Sequence, residues 1–107
     1  MKDFGSLMKQ AQAMQQKLAE AQERITGLTV TGTSGGDMVK VTLKGSGELS
    51  GVEIDESLLA PGEGEVLSDL IVAAHADAKR KLDTQQAELM REAAGPLAGM
   101  NIPGLKR

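Results

Sequence analysis

Between Phe4 and Ile25 the apolar positions are Phe4, Leu7, Ala11, Met14, Leu18, Ala21 and Ile25, spaced by alternating steps of three and four. That is the a/d seam of a heptad repeat. The filler is Gln, Ala, Lys and Glu, all good helix formers, so the pattern predicts a helix over residues 1–26, roughly 30 Å of it between Phe4 and Ile25, stopped by Gly27.

After Gly27 the period changes from seven to two. Leu28 and Val30 alternate with Thr29, Thr31 and Thr33; Val39, Val41 and Leu43 with Lys40, Thr42 and Lys44; and Val52 and Ile54 with Glu53 and Asp55. Three antiparallel strands within residues 28–55, each with one polar face, follow. The connections "SGGD" (34–37) and "GSGE" (45–48) are glycine turns. Leu49 is out of phase with Val52, which predicts a bulge near Ser50 and Gly51.

A connection with Pro61 and several carboxylates then leads into a second helix over residues 65–94. Leu67, Leu70, Ile71, Ala74, Ala78, Leu82, Leu89 and Ala93 lie on or near one of its faces. Its apolar first half should cover the sheet, and its charged second half should run into solvent or along a partner. Residues 95–107, broken by Gly and Pro, read as a flexible tail. The order is therefore α-β-β-β-α in one domain over residues 1–107: an α+β fold with a small antiparallel sheet and two long projecting helices.

Composition bears on oligomeric state. The chain has 107 residues, 40% of them hydrophobic, and one aromatic residue, Phe4. Much of the apolar content is Ala and Met, and Ala buries little area beside the roughly 1.5–3 kcal/mol of a Leu or Ile. So thin a core favours a homodimer, with Phe4, Leu7, Ala11, Met14 and Leu18 as the expected interface. Cysteine is absent, which removes disulfides, thiolate nucleophiles and cysteine metal sites. The longest apolar run, "LIVAA" (70–74), is far short of a membrane span, and the N-terminus lacks a signal-peptide core. A soluble cytoplasmic protein with no membrane partner is the expectation.

Candidate chemistry is sparse. His75 is the only histidine and no Ser or Asp spacing pairs it into a triad, so it reads as a helix residue at the edge of the packed face. "GSG" (45–47) joins two strands instead of opening a helix and reads as a turn, not a phosphate loop. Asp37, Glu48, Glu53, Asp55 and Glu56 lack calcium-loop spacing. No enzyme activity, cofactor, metal or small-molecule substrate is expected.

Charge is informative once divided by segment. The net charge is -3, made of +1 over residues 1–25, -6 over 26–74 and +2 over 75–107. The acidity belongs to the sheet and the loop after it. On the first helix Lys2 and Lys9 share one outer heptad position, and Lys17 and Arg24 its neighbour; on the second, Lys79, Arg80 and Lys81 are consecutive. Local potential governs phosphate contact, so basic surfaces on an acidic protein can bind a nucleic-acid backbone. Without Trp or Tyr, base stacking on single strands is not expected, and no helix-turn-helix or zinc-finger pattern supplies base readout. The duplex backbone is the target that fits. A dimeric adaptor or chaperone-like module, gripping a helix of another protein with the Met- and Gln-rich first helix, is the competing reading.

Four stretches, "MKDFGSLMKQAQAMQQKLAEAQERI", "VKVTLKGSGELSGVEID", "LSDLIVAAHADAKRKL" and "GMNIPGLK", resemble the YbaB/EbfC nucleoid-associated proteins of bacteria, in the same order along nearly the whole chain. The resemblance implies a tweezer-shaped α-β-β-β-α homodimer that associates with the nucleoid and binds double-stranded DNA with weak sequence preference. The family's DNA contacts on its projecting helices would correspond here to Lys9, Lys17, Arg24, Lys79, Arg80, Lys81 and Arg91. The acids Glu20, Glu23, Asp83, Glu88 and Glu92 lie among them and set this chain apart.

Overall fold

A computed structural model describes residues 2–95, with side chains from Phe4 onward; the expected flexible tail lies, beyond Gly95, outside the described residues. The elements are α1 (Lys2–Thr26), β1 (Thr29–Ser34), β2 (Val39–Lys44), β3 (Leu49–Ile54), a 3-10 turn (Glu56–Leu59) and α2 (Gly64–Ala94). The strands form one antiparallel sheet in the order β1-β2-β3. The α+β order predicted from the change of period is the observed one.

The core is aliphatic. Val30, Val39, Val41 and Leu43 from the inner face of the sheet meet Ala74, Ala78 and Leu82 of α2, and Leu58 of the 3-10 turn closes one end. Ala74 and Ala78 let α2 approach closely, and Gly32 takes the approach to its limit. A Cβ at Gly32 would stand 2.2 Å from the carbonyl oxygen of Ala74 and from the backbone nitrogen of Ala78. The helix axis therefore lies over β1 and β2, and β3 receives almost none of it.

Physical widths explain why. A helix with its side chains is about 10–12 Å across, and strands are spaced by about 4.8 Å, so one helix covers about two strands. The bulge makes this matter. Thr42 pairs with Gly51 and Leu43 with Leu49, which leaves Ser50 as the inserted residue. Leu49 and Val52 thus both stand opposite inner-face residues, Leu43 and Val41. They are 53% and 39% exposed, apolar side chains on the core face with no helix over them.

α1 is anchored at its C-terminal end. Gly27 donates its backbone N–H to Glu23 and Leu28 donates to Ile25, closing the last turn. Gly45 accepts contact there, because a Cβ on it would lie 1.6 Å from the Ile25 carbonyl oxygen. Ala21 and Ile25 are buried, Met14 and Leu18 half-buried, and Phe4 and Leu7 are 65% and 61% exposed. The second half of α2 was expected to run into solvent or along a partner; instead it lies along α1 of the same chain. Ala93 and Ala94 flank a groove with Ala11 and Met14, so α1 projects past the end of α2 by about ten residues, roughly 15 Å. The radius of gyration is 20.2 Å, against about 13 Å for a compact chain of this length.

Candidate nucleic-acid interface

The basic residues singled out from the sequence fall into two groups with different surroundings. The first lies on the projecting arm formed by α1 and the end of α2. Lys9, Lys17 and Arg91 are exposed there, and none has a carboxylate within ion-pair distance among the described residues. Arg24 on the same arm stands 3.9 Å from Glu92, with both side chains about two-thirds exposed, so the pair is weak. Arg91 also sits in the last turn of α2, where a cation is favoured by the helix dipole.

The second group is the "AKRKL" cluster beside the sheet, where every cation already has a carboxylate. Lys79 donates to Asp83 at 3.1 Å. Arg80 donates through Nη2 to Oδ1 of Asp77 at 2.7 Å, and Lys81 stands 3.1 Å from Oδ2 of Asp77. These partners are three or four residues away, the spacing at which helix side chains meet.

Asp77 does more than pair. It accepts the backbone N–H of Thr33 at 3.0 Å, while Lys81 donates to the carbonyl of Thr31 at 3.0 Å. Thr31 and Thr33 lie on β1, an edge strand, so α2 supplies one acceptor and one donor to an edge that would otherwise be open. Ser34 adds a third tie by donating its hydroxyl to the Leu70 carbonyl at 2.6 Å. The Thr33 N–H foremost, and then Lys81, holds the Asp77 carboxyl below the usual carboxylate range. A shallow concavity lined by Asp77, Arg80, Lys81, Thr84 and Gln85 opens beside this network.

The expected dimer-interface residues are likewise divided. Phe4, Leu7 and Ala11 are exposed, while Met14 and Leu18 turn partly toward α2. A second apolar surface went unrecognised in the sequence. Leu49 and Val52 of β3, with Ile71, Val72 and His75 of α2, line an open depression beside Val41, and Val72 is 67% exposed. The available signal was the count of strands against a single covering helix. Among the described residues no three of His, Asp and Glu are grouped to hold a metal ion, and no helix is long and apolar enough to cross a membrane.

A small sheet braced by one helix, with a two-helix arm whose exposed cations Lys9, Lys17 and Arg91 have no carboxylate partner among the described residues, is the architecture of a small α+β surface-binding protein. The chain belongs to the YbaB/EbfC DNA-binding family, whose profile matches residues 1–97. It is 72% identical over 108 residues to a nucleoid-associated protein of a Caulobacter species, covering 99% of each chain. It is 73% identical over 107 residues to a nucleoid-associated protein of Phenylobacterium zucineum, covering 100% of this chain and 98% of that one. A crystal structure of an uncharacterized protein from Helicobacter pylori superposes with a TM-score of 0.69 at 27% identity, covering 86% of this chain and 97% of the other.

Proposed function

We propose that the protein is a nucleoid-associated, cytoplasmic DNA-binding protein that acts as a homodimer and grips the backbone of double-stranded DNA with little regard to sequence. Membership of the DNA-binding family over residues 1–97 carries this reading. The names of its relatives in Caulobacter and Phenylobacterium support the nucleoid as its place of action. No cofactor, small-molecule substrate or catalytic step enters it.

Lys9, Lys17 and Arg91 are the best-placed contacts, since a phosphate meeting them displaces only water and counterions. Arg24 is nearly as free. Lys79, Arg80 and Lys81 are secondary, because a phosphate must first compete with Asp83 and Asp77. Two uncovered apolar surfaces support the dimer: Leu49, Val52 and Val72 beside the sheet, and Phe4 and Leu7 with Ala11 along the free part of α1. Such patches on one small protomer are what a second copy covers. The adaptor alternative draws on the same open α1 face but leaves the arm's cations that lack a carboxylate among the described residues without a role.

Fluorescence anisotropy with two unrelated duplexes at several salt concentrations tests the reading. With about 4 to 8 phosphates neutralised per dimer, log K should fall with log salt at a slope of roughly -4 to -7, alike for both duplexes. Affinity indifferent to salt would reject it.

A further inference from the structure

We propose that Asp77 is a resident competitor for phosphate, an internal carboxylate that holds Arg80 and Lys81 out of DNA contact and sets the protein's affinity below what its cations could deliver. This rests on the DNA-binding reading above and identifies the residue that limits it. Three observations point to it. Both oxygens of Asp77 are engaged by cations, Oδ1 by Arg80 at 2.7 Å and Oδ2 by Lys81 at 3.1 Å. The carboxylate is fixed in place by the Thr33 N–H, 44 residues away on β1, so it cannot swing aside with its helix turn. And the concavity at the pair is lined by Thr84 and Gln85 as well, a hydroxyl and an amide that suit a phosphate oxygen beside the two cations.

The carboxylate stands where a phosphate oxygen would stand. A guanidinium and an ammonium converging on one anion is an arrangement that also suits phosphate, and Asp77 occupies it from within through one contact to each cation. Lys81 is held twice over, because the Thr31 carbonyl takes the same ammonium at 3.0 Å. Arg80 is the cation that a neutral residue at 77 releases most fully, since its only carboxylate partner among the described residues is Asp77.

Asp77→Asn separates the competing role from the structural one. Asparagine keeps a side-chain oxygen to accept the Thr33 N–H but carries no charge to hold two cations. A residue that merely braces β1 would lose stability on substitution and weaken DNA binding, if it changed binding at all. A competitor predicts the opposite sign. At about 0.1 M salt one further phosphate contact is worth roughly a factor of eight, so Asp77→Asn should tighten duplex binding at least about fivefold and steepen the salt slope by about one per protomer.

Glu53→Gln, which makes the same change in net charge on β3, should change affinity less than about twofold if local placement governs. A double-mutant cycle completes the test. Arg80→Gln should cost the parent little and should remove most of what Asp77→Asn gained. Equal or weaker binding by Asp77→Asn, or an equal gain from Glu53→Gln, overturns the proposal while leaving the DNA reading intact. Should Asp77→Asn fail to fold, a large loss of affinity for Arg80→Gln in the parent background overturns it, and a negligible loss upholds it. If neither parent nor variant binds duplex, both readings fall.

Discussion

The sheet with the first half of α2 and the arm made by α1 with the second half of α2 treat their apolar and charged residues in opposite ways. At the sheet, Val39, Val41, Leu43, Ala74 and Ala78 are fully or almost fully buried, and the cations Lys79, Arg80 and Lys81 on the covering helix are paired. On the arm, Phe4 and Leu7 are open and Lys9, Lys17 and Arg91 have no carboxylate partner among the described residues. Charge that is satisfied inside the chain contributes to holding the fold; charge left unsatisfied remains available to a ligand. The position of a lysine in the sequence says less about its role than the carboxylates within reach of it.

The sharpest way to break the contrast is at Gly32. Gly32→Val should abolish folding, because its Cβ would overlap the backbone of α2 at Ala74 and Ala78 and no rotamer relieves a backbone clash; loss of the cooperative thermal transition checks it. Leu82→Ala, which empties a 2% exposed position in the same core, should cost about 2–5 kcal/mol in urea unfolding.

On the arm the balance reverses. Replacing Lys9, Lys17 and Arg91 together by Gln should move stability by less than about 0.5 kcal/mol and lower duplex affinity by tenfold or more with a flatter salt slope. Unaltered binding would shift the interface to the cluster beside the sheet.

The smallest effect expected is with acid. Asp77 has a folded pKa below its ordinary value of 3.8, so its stabilising contribution is present above that value and disappears as pH falls below it. Urea midpoints from pH 6 to pH 2 should decline less steeply at the acid end in Asp77→Asn than in the parent.

How far the sequence disclosed these regions depended on the range of the interactions. The helix–strand–helix order was legible because period and turn residues are local, and the bulge at Ser50 showed in the phase of Leu49 against Val52. The pairings of Arg80 and Lys81 with Asp77 were legible too, being one helical turn apart. What tied that cluster to β1 was not: Thr33 and Thr31 are 44 and 50 residues from their partners. The seam from Phe4 to Ile25 illustrates the limit most clearly. Periodicity shows which face of a helix is apolar but not what covers it, and the chain covers Ala21 and Ile25 itself while leaving Phe4 and Leu7 open. Leu49, Val52 and Val72 were missed for a related reason, since alternation assigns a side chain to the inner face without asking whether the covering helix is wide enough.

Because α2 ends at Ala94, beside Ala11 and Met14, the N-terminal stretch of α1 is a cantilever rooted on α2. The free stretch is about ten residues, roughly 15 Å, so a tilt of about ten degrees at its root carries the tip through roughly 3 Å. That travel is a sizeable part of the minor-groove width of about 6 Å. In the proposed grip on a duplex backbone, a rigid arm would demand one phosphate spacing, whereas a sprung one would tolerate the local variations of groove width that distinguish one duplex from the next. The proposed indifference to sequence would then reside in leverage as much as in the absence of base-reading side chains.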